Sequence, residues 1–171
     1  MDRGKHVITL GRRGVTLGLL LLAGRAEAKA PCAPAAVLFV CPAGTVKSAI
    51  ARETLRRRAA EAGVAVRVTS REIKPEDHVS PGLAANLRAD GLDSAAEPAL
   101  QLVAADVSAA DIVIAFDEAA AAPALRNARS WDVPSWNADY PAARAELSRR
   151  IDDLIVELRA RPTVGCGARG G

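Results

Sequence analysis

The sequence predicts a doubly wound α/β domain, a parallel sheet with helices on both faces. Three observations carry that expectation. Two stretches, Ala35–Val40 and Asp111–Asp117, hold near-continuous apolar runs, the pattern of strands buried on both faces. Segments of helical periodicity alternate with the strand-like ones, which argues for crossover connections in a parallel sheet. Glycines 63 and 91 stand where two of the helical patterns stop.

Each element has its own local reason. Ala35–Val40 is the first strand. Lys47 to about Ala62 is the first helix, with Val46, Ile50 and Leu55 on one side and Arg52, Arg56 and Arg57 on others. Val64, Val66 and Val68 alternate with Ala65, Arg67 and Thr69, which reads as a half-exposed strand. Ser70–Val79 is expected as polar loop. Ser80 caps a short helix with Pro81 at its first position, and Leu83 and Leu87 point inward. In 92–110, Leu100, Val103 and Val107 suggest a turn or two of helix. Asp111–Asp117 is the second central strand, Glu118–Ala128 a helix, and Arg129–Val133 a short strand. Leu147, Ile151, Leu154, Ile155 and Leu158 place the last helix over Tyr140–Ala160. There is no internal repeat, and 162–171 is a flexible Gly-rich tail.

Composition narrows the function classes. At 171 residues the chain suits one domain. Of its 23 basic and 20 acidic side chains, residues 1–28 hold five and two, which leaves 18 of each in the remainder. A domain without net charge gives no reason to expect a nucleic-acid partner. The run Arg56-Arg57-Arg58 is expected as a solvated helix face. Cys32, Cys41, Cys166, His6 and His78 stand at no metal-ligand spacing, so neither metal nor cofactor is expected.

Residues 1–28 resemble an export signal. Basic residues precede the apolar stretch Val15–Gly24, and Ala26-Glu27-Ala28 offers a small-x-small cleavage site. Arg12-Arg13 gives the leader a twin-arginine character, without the usual flanking residues. The expected mature protein is therefore periplasmic or otherwise exported, with its domain over 29–161. The alternative is a cytoplasmic protein whose leader is not a signal. Intact mass of protein from the source cell's envelope is expected to start near Lys29; a full-length cytosolic species would overturn export. Cys32 precedes the first strand, and the last helix returns the tail to the same sheet edge. Export would allow a Cys32–Cys166 disulfide there; two unrelated thiols are the alternative.

The chemistry concentrates in Val37–Ala51. An apolar strand ends in Cys41, a short loop Pro42-Ala43-Gly44-Thr45-Val46 follows, and Lys47-Ser48 opens a helix. A loop wrapped between a strand end and a helix N-terminus gathers backbone N–H groups at one spot, which favours an oxyanion. The same field favours a thiolate at Cys41. A nucleotide-binding P-loop would need glycine at positions 41 and 46. A buried structural cysteine followed by an ordinary helix start is the bland alternative.

This spacing resembles the low-molecular-weight protein tyrosine phosphatase family, whose loop reads Cys, five residues, Arg, then Ser or Thr. Here Lys47 stands in place of the arginine, and an ammonium offers a point charge where a guanidinium grips phosphate with two bonds. The resemblance implies a four-stranded flavodoxin-like sheet. It also implies phosphate monoester hydrolysis through a phosphocysteine on Cys41. Lys47 and the loop positions Pro42, Ala43, Gly44, Thr45 and Val46 would hold the oxyanion, and Ser48 would donate to the thiolate.

A family member also brings an acid, in an Asp-Pro pair on the loop after the last strand. Ser135-Trp136 stands at that place here. Asp139 is the nearest substitute, with helix N-cap as its other role, and Asp132 is a weaker candidate. Trp131, Trp136 and Tyr140 cluster on this loop. Trp136 and Tyr140 are candidate rim residues for an aryl phosphate, and Trp131 is expected to cover the sheet edge. The implied partner is a phosphorylated small molecule or a phosphotyrosine peptide. The alternative is an oxyanion-binding pseudophosphatase. Arsenate reduction is disfavoured, because no cysteine lies between Cys41 and Cys166 to pass a disulfide along.

Overall fold

The computed structural model of the chain describes residues 33–43, 46–75 and 79–161, all within the unit Pro31–Gly171. The expected leader, Cys32, His78, Cys166 and the tail lie outside the described residues, as do Gly44 and Thr45 of the loop.

Strands β1 (Ala35–Ala43), β2 (Val66–Lys74), β3 (Ile112–Phe116) and β4 (Arg129–Trp131) form one parallel sheet in the order β2-β1-β3-β4. The helices are α1 (Lys47–Glu61), α2 (Pro81–Ala89), the five-residue α3 (Ala104–Ser108) and α4 (Tyr140–Ala160). Alternation along β1 explains its unbroken apolar run. Val37, Phe39 and Cys41 join a core with Ile50 and Leu55 of α1 and Leu147 and Ile151 of α4. Leu38 and Val40 join a second core with Ala115, Ala119 and Leu125. Each fully buried Ile or Leu here contributes about 1.5–3 kcal/mol relative to exposure.

The helix ends follow local chemistry. Ser80 Oγ accepts from the Leu83 amide at 3.3 Å, and Asp139 Oδ1 accepts from the Ala142 amide at 3.0 Å. Gly63 and Gly91 follow α1 and α2 with φ of 66° and 67°, the left-handed region that glycine enters without strain. Among the described residues no helix is long and apolar enough to cross a membrane.

Two expectations need correction. Ser70–Lys74 is strand, not loop. β1 continues past Cys41, so Cys41 pairs in register with Glu72 and Ala43 with Lys74, and the strand gains partners its polar residues did not advertise. Glu118–Ala128 is not one helix. It forms 3-10 turns at Asp117–Ala121 and Pro123–Leu125, because Pro123 lacks an N–H and holds Ala122 extended. The turn of helix expected in 92–110 is α3, Ala104–Ser108, and Leu100 and Val103, which precede it, face solvent. The Arg56-Arg57-Arg58 face is exposed or partly exposed, as expected, and each of its arginines has a partner. Arg56 pairs with Glu97 and donates to the Val68 carbonyl at 2.6 Å, Arg57 donates to the Asp90 carbonyl at 2.9 Å, and Arg58 pairs with Asp152. Arg52 is fully buried.

Candidate active site

A parallel sheet ordered β2-β1-β3-β4 reverses direction of winding between β1 and β3, and ligands of such sheets bind in the crevice beyond the strand ends at that point. The residues that meet there are Cys41 near the end of β1, Lys47 at the start of α1, Asp117 directly after β3, and Val133 beyond β4.

Cys41 is buried, and its Sγ lies 3.0 Å from Ser48 Oγ. Ser48 is itself buried in the first turn of α1, so its hydroxyl is held against the sulfur by helix geometry rather than by a flexible chain. A serine O–H there can donate to a thiolate. The start of α1 carries no capping side chain and no acid in its first turn. Its first N–H groups are thus left to the loop, the electrostatic condition for an anion. Val46, the residue before α1, holds φ 44°, a left-handed conformation costly for a β-branched residue. Among the described residues, Asp117 at φ 51° is the other non-glycine in that region.

Lys47 differs from a cation waiting for phosphate. Its Nζ lies 2.8 Å and 2.6 Å from the two Asp117 carboxylate oxygens and donates to the Val133 carbonyl at 2.6 Å. The ammonium is therefore held by the Asp117 carboxylate and the Val133 carbonyl, in a nearly dry setting. Both anchors lie far away in sequence, which is why the Lys47 side chain could not be placed by reading its neighbours. Asp117 was missed as a site residue. Its available signal was position, an acid immediately after a central strand at the carboxyl edge of the sheet.

The other candidates separate. Pro42 and Ala43 lie within β1, and Val46 is buried beside α1. Lys47, Asp117, Asp132 and Trp136 share a cleft of about 630 Å³. Asp139 is occupied as the cap of α4 and is absent from that cleft. Trp136 is 4% exposed, its ring centroid 5.4 Å from that of Tyr140. The Tyr140 hydroxyl donates to Asp90 Oδ2 at 2.6 Å; burial first and then this carboxylate push its pKa up to about 12. Trp131 packs against Phe39 and Phe116 on the edge strand. Among the described residues no group of three or more His, Cys, Asp or Glu could hold a metal ion.

The sequence model of low molecular weight phosphotyrosine protein phosphatase matches residues 36–135, more than half of the chain, from β1 to the loop after β4. The chain belongs to this family. Solved structures agree in fold. The low molecular weight protein tyrosine phosphatase of T. tengcongensis is similar at TM-score 0.59 and 21% identity, over 72% of this chain and 99% of that one. YwlE arginine phosphatase from Geobacillus stearothermophilus is similar at 0.57 and 23%, over 74% and 94%. An arsenate reductase in its phosphate-binding state is similar at 0.57 and 19%, over 72% and 98%. At such identities these likenesses establish the fold. Among curated proteins no sequence matches significantly.

Proposed function

We propose that the chain hydrolyses phosphate monoesters, aryl phosphates such as phosphotyrosine foremost, through a phosphocysteine on Cys41. The observation that carries this reading is the Cys41–Ser48 contact of 3.0 Å at the uncapped start of α1. In the first step Sγ attacks phosphorus in line, the S–P bond forms and the P–O bond to the leaving group breaks. In the second, water attacks phosphorus, the S–P bond breaks, and phosphate leaves with the thiolate restored. Loop amides and Lys47 would neutralise the oxyanion. Steady release of nitrophenol from nitrophenyl phosphate tests the reading; an anion that binds without turnover would overturn it.

The acid that protonates the leaving oxygen is Asp132 in this reading. It opens on the cleft that holds Lys47, whereas the Asp139 carboxylate is spent on the Ala142 amide. Asp132→Asn should slow hydrolysis of an alkyl phosphate by roughly 10²–10⁴-fold, the range of general acid catalysis. The loss should be smaller for nitrophenyl phosphate, whose leaving group needs less help. The same signature in Asp139→Asn, with Asp132→Asn unaffected, would move the role to Asp139.

A second reading, an oxyanion-binding pseudophosphatase, draws support from Lys47. Its N–H groups are directed at Asp117 and Val133, so an incoming phosphate must compete with a carboxylate and a carbonyl.

A further inference from the structure

Asp132 is an exposed residue between two buried ones, Trp131 and Val133. Its carboxylate meets no hydrogen-bond or ion-pair partner among the described residues. Where that carboxylate stands is therefore set by the backbone beneath it, and two cations hold that backbone. The Asp132 carbonyl accepts from Arg150 Nη2 at 3.1 Å, and the next carbonyl, that of Val133, accepts from Lys47 Nζ at 2.6 Å. Lys47 belongs to the Cys41 loop and has its own work there. Arg150 reaches across from α4.

Arg150 is itself held in place. Its Nε donates to Glu146 Oε1 at 2.6 Å, one turn back along α4. Its guanidinium carbon lies 5.8 Å from the centre of the Trp131 ring, and that ring packs against Phe39 and Phe116 of the core strands. A guanidinium suits this place because separate nitrogens in a rigid fork serve separate acceptors, Nε the carboxylate and Nη2 the carbonyl; an ammonium has one nitrogen for both. Hydrogen bonds from Arg149 and then Arg150 hold the Glu146 carboxyl down at about 2, so the pair stays charged at any working pH.

We propose that Arg150 is a positioning residue for the reaction: through the Asp132 carbonyl and the Trp131 ring it fixes the segment that carries the acid, and so sets where the Asp132 carboxyl meets the leaving oxygen. This rests on the reading of Asp132 as the acid of the Cys41 site. Proton transfer in the transition state needs the carboxyl within hydrogen-bond reach of that oxygen, and a small misplacement of the segment lengthens the gap. The oxyanion cradle at the start of α1 does not depend on Arg150.

The experiment measures kcat and KM of the full chain on phenyl phosphate, whose leaving group needs a proton, and on nitrophenyl phosphate, whose leaving group needs it less. Arg150→Met should lower kcat on phenyl phosphate by roughly tenfold, less than loss of the carboxyl itself, and leave nitrophenyl phosphate turnover, both KM values and vanadate inhibition within about twofold. In the Asp132→Asn background the same substitution should add nothing to the difference between the two esters. Arg149→Met removes an equal charge and a Glu146 partner from the same helix without touching the segment, and it should leave the ratio of the two rates unchanged. Arg150→Lys keeps the charge without the fork; it should show the same discrimination in part, and it stands in for Arg150→Met if thermal melting finds that variant unfolded. Equal slowing of both esters by Arg150→Met, or of neither, while Asp132→Asn discriminates between them, would overturn the proposal and leave Arg150 a surface tie between α4 and β4. A discrimination that persists undiminished in the Asp132→Asn background would overturn it too, because Arg150 would then act on some other group. If Asp132→Asn itself slows both esters equally, or the native chain cleaves neither, the acid assignment falls and the positioning role falls with it.

Discussion

Cys41→Ser will lower nitrophenyl phosphate hydrolysis by roughly 10⁴-fold or more, the scale seen when a covalent nucleophile is removed. That corresponds to about 5.5 kcal/mol of lost transition-state stabilisation at 1.36 kcal/mol per decade. A hydroxyl is a weak nucleophile without a base beside it, and the Ser48 hydroxyl 3.0 Å from Cys41 Sγ is no base. The substitution is nearly isosteric. Cys41 packs in the core shared with α1, and Ser48 can bond an oxygen as well as a sulfur, so the melting temperature should move little. Vanadate or phosphate affinity should stay within a few-fold, because the amides at the start of α1 and the Lys47 charge are unchanged. Undiminished turnover in the serine protein would place the nucleophile elsewhere and reduce Cys41 to a buried core residue.

Lys47→Ala and Lys47→Arg will move activity in opposite directions. Alanine removes the cation and leaves Asp117, mostly buried, without it. Breaking such a pair from one side is destabilising, by up to about 3–5 kcal/mol for fully buried pairs. Hydrolysis and vanadate inhibition should fall by roughly 10–100-fold, one charge-assisted hydrogen bond's worth. Arginine is expected to raise turnover. An ammonium has three N–H groups, and Asp117 and the Val133 carbonyl already engage it. A guanidinium has five in a planar fork, enough to keep both anchors and still present two to phosphate. Turnover, vanadate inhibition and melting of the three proteins side by side decide it. Equal values for the native protein and Lys47→Ala would remove Lys47 from the site. Lower oxyanion affinity in Lys47→Arg would mean that the loop is shaped around the shorter cation.

The sequence by itself determined the parts whose causes are local or periodic. β1 and β3 were legible because both of their faces are buried, so their apolar runs are unbroken. The limits of α4, Tyr140–Ala160, were legible from helical spacing and from Asp139, whose capping bond spans three residues. The loop that carries the family resemblance was legible because Cys41, Lys47 and Ser48 lie within a few residues of one another. Pro123 also lay in plain view as a helix breaker, and the expectation of a helix across it misjudged local chemistry.

Tertiary structure alone decided the rest. The length of β2 depends on how far β1 runs beside it, and nothing within Ser70–Lys74 states that. Arg52 could be buried only because Ser70, eighteen positions away, meets it inside the fold. Lys47 takes its partners 70 and 86 residues along the chain. The sheet order brings those residues together by placing the ends of β1, β3 and β4 side by side. A side chain's local sequence carries its propensity. Its partners across the crevice are set by which strands become neighbours, and that is a property of the whole packed chain.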